Sequence, residues 1–113
     1  MQKIEAIIRP EKLDDVKNAL AAAGVSGLNI VHVTGRGVQK GIVHMGRGGE
    51  IYEVDMLPKV KIEVVVSDGR VDGVVNTICQ AAHTGHIGDG KIFVMPVADA
   101  IRVRTGERGE AAL

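Results

Sequence analysis

The chain has 113 residues, and its 14 Lys and Arg balance 14 Asp and Glu. That length suits one domain with a real core, and the missing basic excess argues against direct nucleic-acid binding. Tyr52 and Phe93 are the only aromatics, too few for a base-stacking platform.

The opening residues MQKIEAIIRP carry charges at Lys3, Glu5 and Arg9 and no long apolar run. Neither a signal peptide nor a membrane span is expected there, and we read the chain as cytoplasmic. Ile4, Ala6 and Ile8 occupy one face of a first strand, which stops at Pro10, a residue suited to a first helical turn. Leu13, Val16 and Leu20 fall at helical spacing, with Gly24 as the stop. Leu28 to Val38 alternates Ile30, His32 and Thr34 against Val31 and Val33, predicting a second strand that enters a glycine cluster at Gly35. Residues 37–57 show no sustained period, and a loop that long in a small domain is usually functional.

Val60, Ile62, Val64 and Val66 predict a third strand of period two. Val71, Val74, Val75, Ile78, Cys79 and Ala82 predict a second amphipathic helix, in which the single cysteine is a small buried hydrophobe. Strand segments follow at Ile92 to Val97 and Ile101 to Arg104. The order β-α-β-β-α-β predicts an α+β, ferredoxin-like sandwich with both helices on one face of an antiparallel sheet. The opposite face needs cover, which oligomerisation would supply.

The segment Thr84 to Val94, TGHIGDGKIFV, carries the strongest chemical signal. Its glycines allow positive φ and close backbone approach, and successive N–H groups can line an anion site that Lys91 completes. If 101–104 is a strand, Arg102 and Arg104 share one face, and two arginines beside an anion loop point to polyphosphate. His83 and His86 flank Thr84 but have no third ligand at suitable spacing, so we read His83 as a helix-end residue and His86 as a pH-dependent modulator of phosphate affinity.

Four blocks, IEAIIRPEKLDDVK at 4–17, VDMLPKVKIEVVV at 54–66, T-x-x-x-G-D-G-K-I-F at 84–93 and RVRTGERG at 102–109, together resemble the nitrogen-regulatory PII signal-transduction proteins. The resemblance covers nearly the whole chain. It implies a single PII-like domain over 1–113, assembled as a homotrimer that binds ATP or ADP between neighbours, with 2-oxoglutarate joining through Mg-ATP. Residues about 37–57 would be the T-loop, which docks on partners such as an ammonium transporter, a nucleotidyltransferase or nitrogen-assimilation enzymes. Any membrane contact would run through a transporter partner.

By the same resemblance, Gly88, Asp89, Gly90 and Lys91 form the phosphate loop, and Arg102 and Arg104 contact phosphate. Gly35, Gly37, Val38 and Gln39 lie at the T-loop base, with the Gln39 amide oxygen on Mg, and Asn29 and Val65 contact adenosine. Arg9, Gln39, Lys40, Lys59 and Gly88 surround 2-oxoglutarate.

Two departures stand out. Val38, in GRGVQKG, replaces an arginine usual in the family, with Arg36 two residues earlier as its possible substitute. The loop reads GRGGEIY with one extra residue, displacing to Tyr52 the tyrosine that relatives modify. Two rival readings are a nucleotide hydrolase in which Asp89 or Glu63 activates water, and a divergent sensor of another nucleotide or small anion without a 2-oxoglutarate response. The order G-x-x-x-x-G-K-[ST] of a P-loop is absent, which counts against the hydrolase.

Overall fold

The structure is a computed structural model that describes residues 1–36, 42–45, 51–54 and 56–113, with 42–45 and 51–54 as backbone. Strand β1 (Gln2–Ile8) leads through a 3-10 turn at Pro10–Lys12 into helix α1 (Leu13–Ala22), and β2 (Asn29–Gly35) follows. A short antiparallel pair, β3 (Ile42–Met45) and β4 (Ile51–Val54), precedes β5 (Leu57–Val66), α2 (Val71–Ala82) and β6 (Gly90–Pro96). The main sheet has the order β2-β5-β1-β6, and every pairing is antiparallel. This is the ferredoxin-like α+β sandwich that the element order predicts.

Period two does the sorting. Ile4, Ala6 and Ile8 of β1 and Val60, Ile62, Val64 and Val66 of β5 are buried beneath Val16 and Leu20 of α1 and Val74, Ile78 and Ala82 of α2. Each large aliphatic side chain removed from water there contributes about 1.5–3 kcal/mol. Helix α1 ends as Gly24 implies. Its φ is +84°, its N–H reaches the Ala21 carbonyl, and the Val25 N–H bonds the Leu20 carbonyl at 2.9 Å while the Val25 side chain is buried. That double closure needs a left-handed residue, which glycine supplies without strain.

Four expectations need correction. Strand β5 starts at Leu57 rather than near Val60, because Leu57, Pro58 and Lys59 pair with β2 only and β1 joins at Val60. A proline is tolerated where one edge of a strand is open. The stretch expected to be all loop contains the β3–β4 ribbon.

The segment Ile101–Arg104 is not a strand. Ile101 makes an isolated bridge to Arg108, the Arg102 N–H bonds the Glu107 carbonyl, and the Gly106 N–H bonds the Arg102 carbonyl at 2.7 Å. Gly106, at φ +73°, closes this tight turn, so the alternation of arginine with apolar residues reflects a turn and not a pleat.

Cys79 is exposed. Val74, Ile78 and Ala82 form the inward stripe of α2, and a residue next to Ile78 turns about 100° away from it. Cys79 instead borders a shallow groove of about 240 Å³ between α2 and Gly90–Ile92 of β6.

The sheet face away from the helices carries a charged lattice. At its centre Glu5 and Glu63 stand directly opposite one another. Lys3 lies 2.9 Å from Glu5 and 3.5 Å from Glu63, and Lys61 lies 3.1 Å from Glu63. Exposed Val31 and Phe93 flank this lattice on the two edge strands. No helix among the described residues is long and apolar enough to cross a membrane.

Candidate functional site

The register brings the chemistry to one end of the sheet. Ile7 of β1 pairs with Lys61 on one side and Lys91 on the other, while Gly35 pairs with Leu57. The loop from Thr84 to Asp89 arches over these strand ends, with Gly85, Gly88 and Gly90 at φ +88°, +105° and +107°. Under the arch lies a cleft of about 410 Å³, walled by Gly35, Arg36, Lys59, Gly88, Gly90 and Lys91 among others. Ile7, Leu57 and Phe93 give it an apolar floor, and His86 lines its rim.

Gly90 has no alternative. A Cβ there would fall on the Ile7 carbonyl oxygen, 2.8 Å from the carbonyl carbon and 3.2 Å from the Ile8 Cα, all of it backbone. Close approach of β6 to the end of β1, its neighbour in the sheet, is what sets Lys91 on the wall of the cleft.

The loop is held by one carboxylate. Asp89 accepts from the Thr84 N–H at 2.9 Å, the Gly85 N–H at 2.9 Å, the Thr84 hydroxyl, and Nε of Arg9 at 3.1 Å. The Thr84 hydroxyl oxygen in turn accepts the His86 N–H at 3.1 Å. Arg9 also donates to the Ile87 carbonyl at 2.8 Å, and Lys59 donates to the Gly88 carbonyl at 2.8 Å. The Thr84 hydroxyl and N–H, then the Gly85 N–H and Arg9, hold the Asp89 carboxyl well below the usual carboxylate range. Burial, followed by the nearby Arg9 charge, pushes the Lys59 amine down.

The electrostatic balance of the cleft follows from these contacts. Its acid, Asp89, is satisfied within the loop, and among the described residues no hydrogen bond or ion pair holds the Lys91 ammonium. Lys91 on the wall, beside the positive-φ backbone of Gly88 and Gly90, makes the cleft suited to an anion.

Of the sequence-selected residues, the structure gathers Gly35, Lys59, Gly88, Asp89, Gly90 and Lys91 around this cleft, with Arg9 behind Asp89. It does not bring Asn29, Val65, Arg102 or Arg104 to its walls. Asn29 lies six residues up β2 from Gly35, about 20 Å along a strand, and Val65 pairs with Lys3, four residues from the Ile7 row. The Arg102 guanidinium is bound to Glu107 at 2.7 Å. Gly37, Val38, Gln39 and Lys40 lie outside the described residues, as does the side chain of Tyr52 in β4.

Sequence reasoning passed over Ile7, Leu57 and Phe93 as cleft walls and gave Thr84 no role. The pairing of Ile7 with Lys91 is the signal that places the floor, and it appears only once strand register is fixed. Glu63, the alternative water-activating acid, is taken up by Lys61 and Lys3. The Lys61 hydrogen bond leads in holding its carboxyl below the ordinary value.

The fold and the cleft define a ferredoxin-like domain with an anion-receptive glycine loop at one end of its sheet. The sequence model of the family described as Nitrogen regulatory protein P-II matches residues 1–107. This chain belongs to that family of nitrogen-regulatory signal transducers. It is 58% identical to the nitrogen regulatory protein P-II of Klebsiella oxytoca, over the full length of both chains. It is 56% identical to nitrogen regulatory protein P-II 2 of Methanothermobacter thermautotrophicus, covering all of this chain and 97% of the relative. The crystal structure of Arabidopsis thaliana PII bound to citrate superposes with a TM-score of 0.81 at 45% identity, over 99% of this chain and 91% of that one.

Proposed function

We propose that this chain is a non-enzymatic sensor that binds ATP or ADP in the cationic cleft, with 2-oxoglutarate as a second effector. It then controls nitrogen-metabolism partners through the T-loop of residues 37–57. The observation that carries the reading is that Lys91 stands on the wall of the cleft beside the glycine backbone while the acid there, Asp89, is already taken up by hydrogen bonds. A concave site of that sign, with glycine backbone at its edge, takes phosphate or carboxylate. The relative bound to citrate supports a polyanionic ligand.

Asn29, Val65, Arg102 and Arg104 would reach the cleft from a neighbouring copy in a homotrimer, which would also cover the face carrying Val31 and Phe93. The four hydrogen bonds on Asp89 leave no lone pair for Mg. A metal arriving with ATP would therefore rest on phosphate oxygens and Gln39. Engagement of Asp89 and Glu63 in structural contacts favours binding over hydrolysis. The setting is the cytoplasm, with an ammonium transporter or nitrogen-assimilation enzymes as partners and modification of Tyr52 as a further input.

Isothermal titration with ATP, with and without Mg and 2-oxoglutarate, tests this on wild type and Lys91→Ala. The reading expects ATP binding, 2-oxoglutarate binding only with Mg-ATP, and a loss of at least tenfold in ATP affinity in Lys91→Ala, as befits one charge-assisted contact. Unchanged affinity in the variant would sink the phosphate assignment. A second reading, a sensor of small polycarboxylates, draws on the citrate-bound relative and predicts citrate binding without nucleotide.

A further inference from the structure

We propose that Arg9 and Asp89 are positioning residues for the nucleotide: neither touches it, and the Arg9 contribution to nucleotide binding runs through Asp89 into the 84–90 loop. This rests on the nucleotide reading above for its affinity readout, though not for its structural one.

An ionised carboxylate has about four acceptor sites, and Asp89 uses them on the Thr84 N–H, the Thr84 hydroxyl, the Gly85 N–H and Arg9 Nε. Nothing is left for a ligand, a metal or a water to be activated.

Arg9 is committed in the same direction. Its Nε faces Asp89, its terminal nitrogen bonds the Ile87 carbonyl at 2.8 Å, and its side chain is only 14% exposed. Arg9 directly follows β1, whose Ile7 and Ile8 run beneath Gly90. The guanidinium therefore ties the apex of the loop to the end of an inner strand. Asp89 ties the two ends of the loop together, because Thr84 is five residues before it.

Such a loop has little reason to be rigid on its own. Three of its glycines sit at positive φ, and glycine carries the largest conformational entropy to be lost on ordering. Fixing it before the ligand arrives removes that cost from binding. Arg9 and Asp89 thus raise affinity without contact.

The test is a double-mutant cycle on ATP affinity with Arg9→Gln and Asp89→Asn, coupled to amide hydrogen exchange at Gly85 in the ligand-free protein. Asparagine replaces an acceptor oxygen by an N–H₂ donor, so it opposes either Arg9 or the Thr84 and Gly85 amides. Each single variant should weaken ATP binding by about tenfold, the size of one charge-assisted hydrogen bond. The double variant should bind no more weakly than Asp89→Asn alone, and Gly85 should lose protection in both single variants. Multiplicative losses with Gly85 protection intact would show direct contact and overturn the proposal.

Should Asp89→Asn not fold, Thr84→Val and Thr84→Ser carry the same test. The serine variant keeps the hydroxyl and should retain wild-type affinity and exchange, whereas valine should lose both. Equal behaviour of the two would also overturn it. Wild-type protein that binds no ATP would remove the nucleotide reading, and Gly85 exchange would still decide whether Asp89 and Arg9 fix the loop.

Discussion

Gly90→Ala puts the tightest feature of the structure under direct load. The added methyl would meet the Ile7 carbonyl and the Ile8 Cα, which are backbone atoms with no flexible end to swing aside. Strand β1 cannot retreat, because its other edge is paired to β5 along its whole length. The start of β6 must lift instead, breaking the pairing of Gly90 with Ile8 and Lys91 with Ile7. A non-glycine residue at φ near +107° adds backbone strain of about 1–3 kcal/mol. Two lost ladder hydrogen bonds bring a further loss of about 1 kcal/mol each, so we expect about 3–5 kcal/mol in all. With a urea slope of about 1–3 kcal/mol/M for a chain of this size, the unfolding midpoint should fall by at least about 1 M at matched protein concentration. Gly27→Ala is the control, since its Cβ would meet nothing within 4 Å. On the nucleotide reading ATP affinity should fall as well, because Lys91 moves with the lifted strand. A Gly90→Ala protein with wild-type midpoint and wild-type affinity would refute the close approach of β6 and with it the geometry of the cleft.

Two further outcomes follow from the same contacts. Gly73 lies inside α2 without a positive φ, and a Cβ there meets nothing within 4 Å, so Gly73→Ala should stabilise the fold by about 0.5–1 kcal/mol in urea or thermal unfolding; a loss of stability would mean that this helix face is covered in the assembled protein. Because the folded Asp89 carboxyl titrates below its unfolded value, its contribution is fully present above about pH 4 and is lost only as the pH falls through that lower range. Carboxyl-carbon NMR should show no Asp89 inflection near pH 4, and an ordinary titration there would mean that the Thr84 and Gly85 hydrogen bonds are not made.

What was legible in the sequence was whatever repeats with a period. Ile4, Ala6 and Ile8, and then Val60 to Val66, announce strands because a pleat sends alternate residues inward, and all of them are buried. Leu20 with Gly24 announces a helix and its stop for reasons equally local. The errors fell where a local pattern has two readings. Ile101 to Arg104 alternates like a strand, yet Glu107 sits where it captures both the backbone and the side chain of Arg102 and folds the segment back on itself. Cys79 reads as apolar helix, but its burial depends on what lies a quarter-turn from Ile78, and there the structure leaves a groove.

The candidate site was legible as a set of residue types and much less as a set of roles. Three glycines ahead of a lysine specify a backbone able to wrap an anion, because no other residue adopts those φ values at low cost. Whether Asp89 faces the ligand or the loop is decided by Thr84 and Gly85 within the loop together with Arg9, eighty positions away in the chain. That partner is delivered by the β1–β6 register, which sets Ile8 against Gly90 and leaves Arg9 one residue beyond the strand end, level with Asp89. A carboxylate beside a glycine loop is equally suited to metal, water or backbone. The competition is settled by counting acceptors, since four local and charge-assisted donors reach Asp89 before any solute does. Asp89 is thus occupied by structure, and on the nucleotide reading the capacity to bind passes to Lys91 and the backbone that Asp89 holds in place.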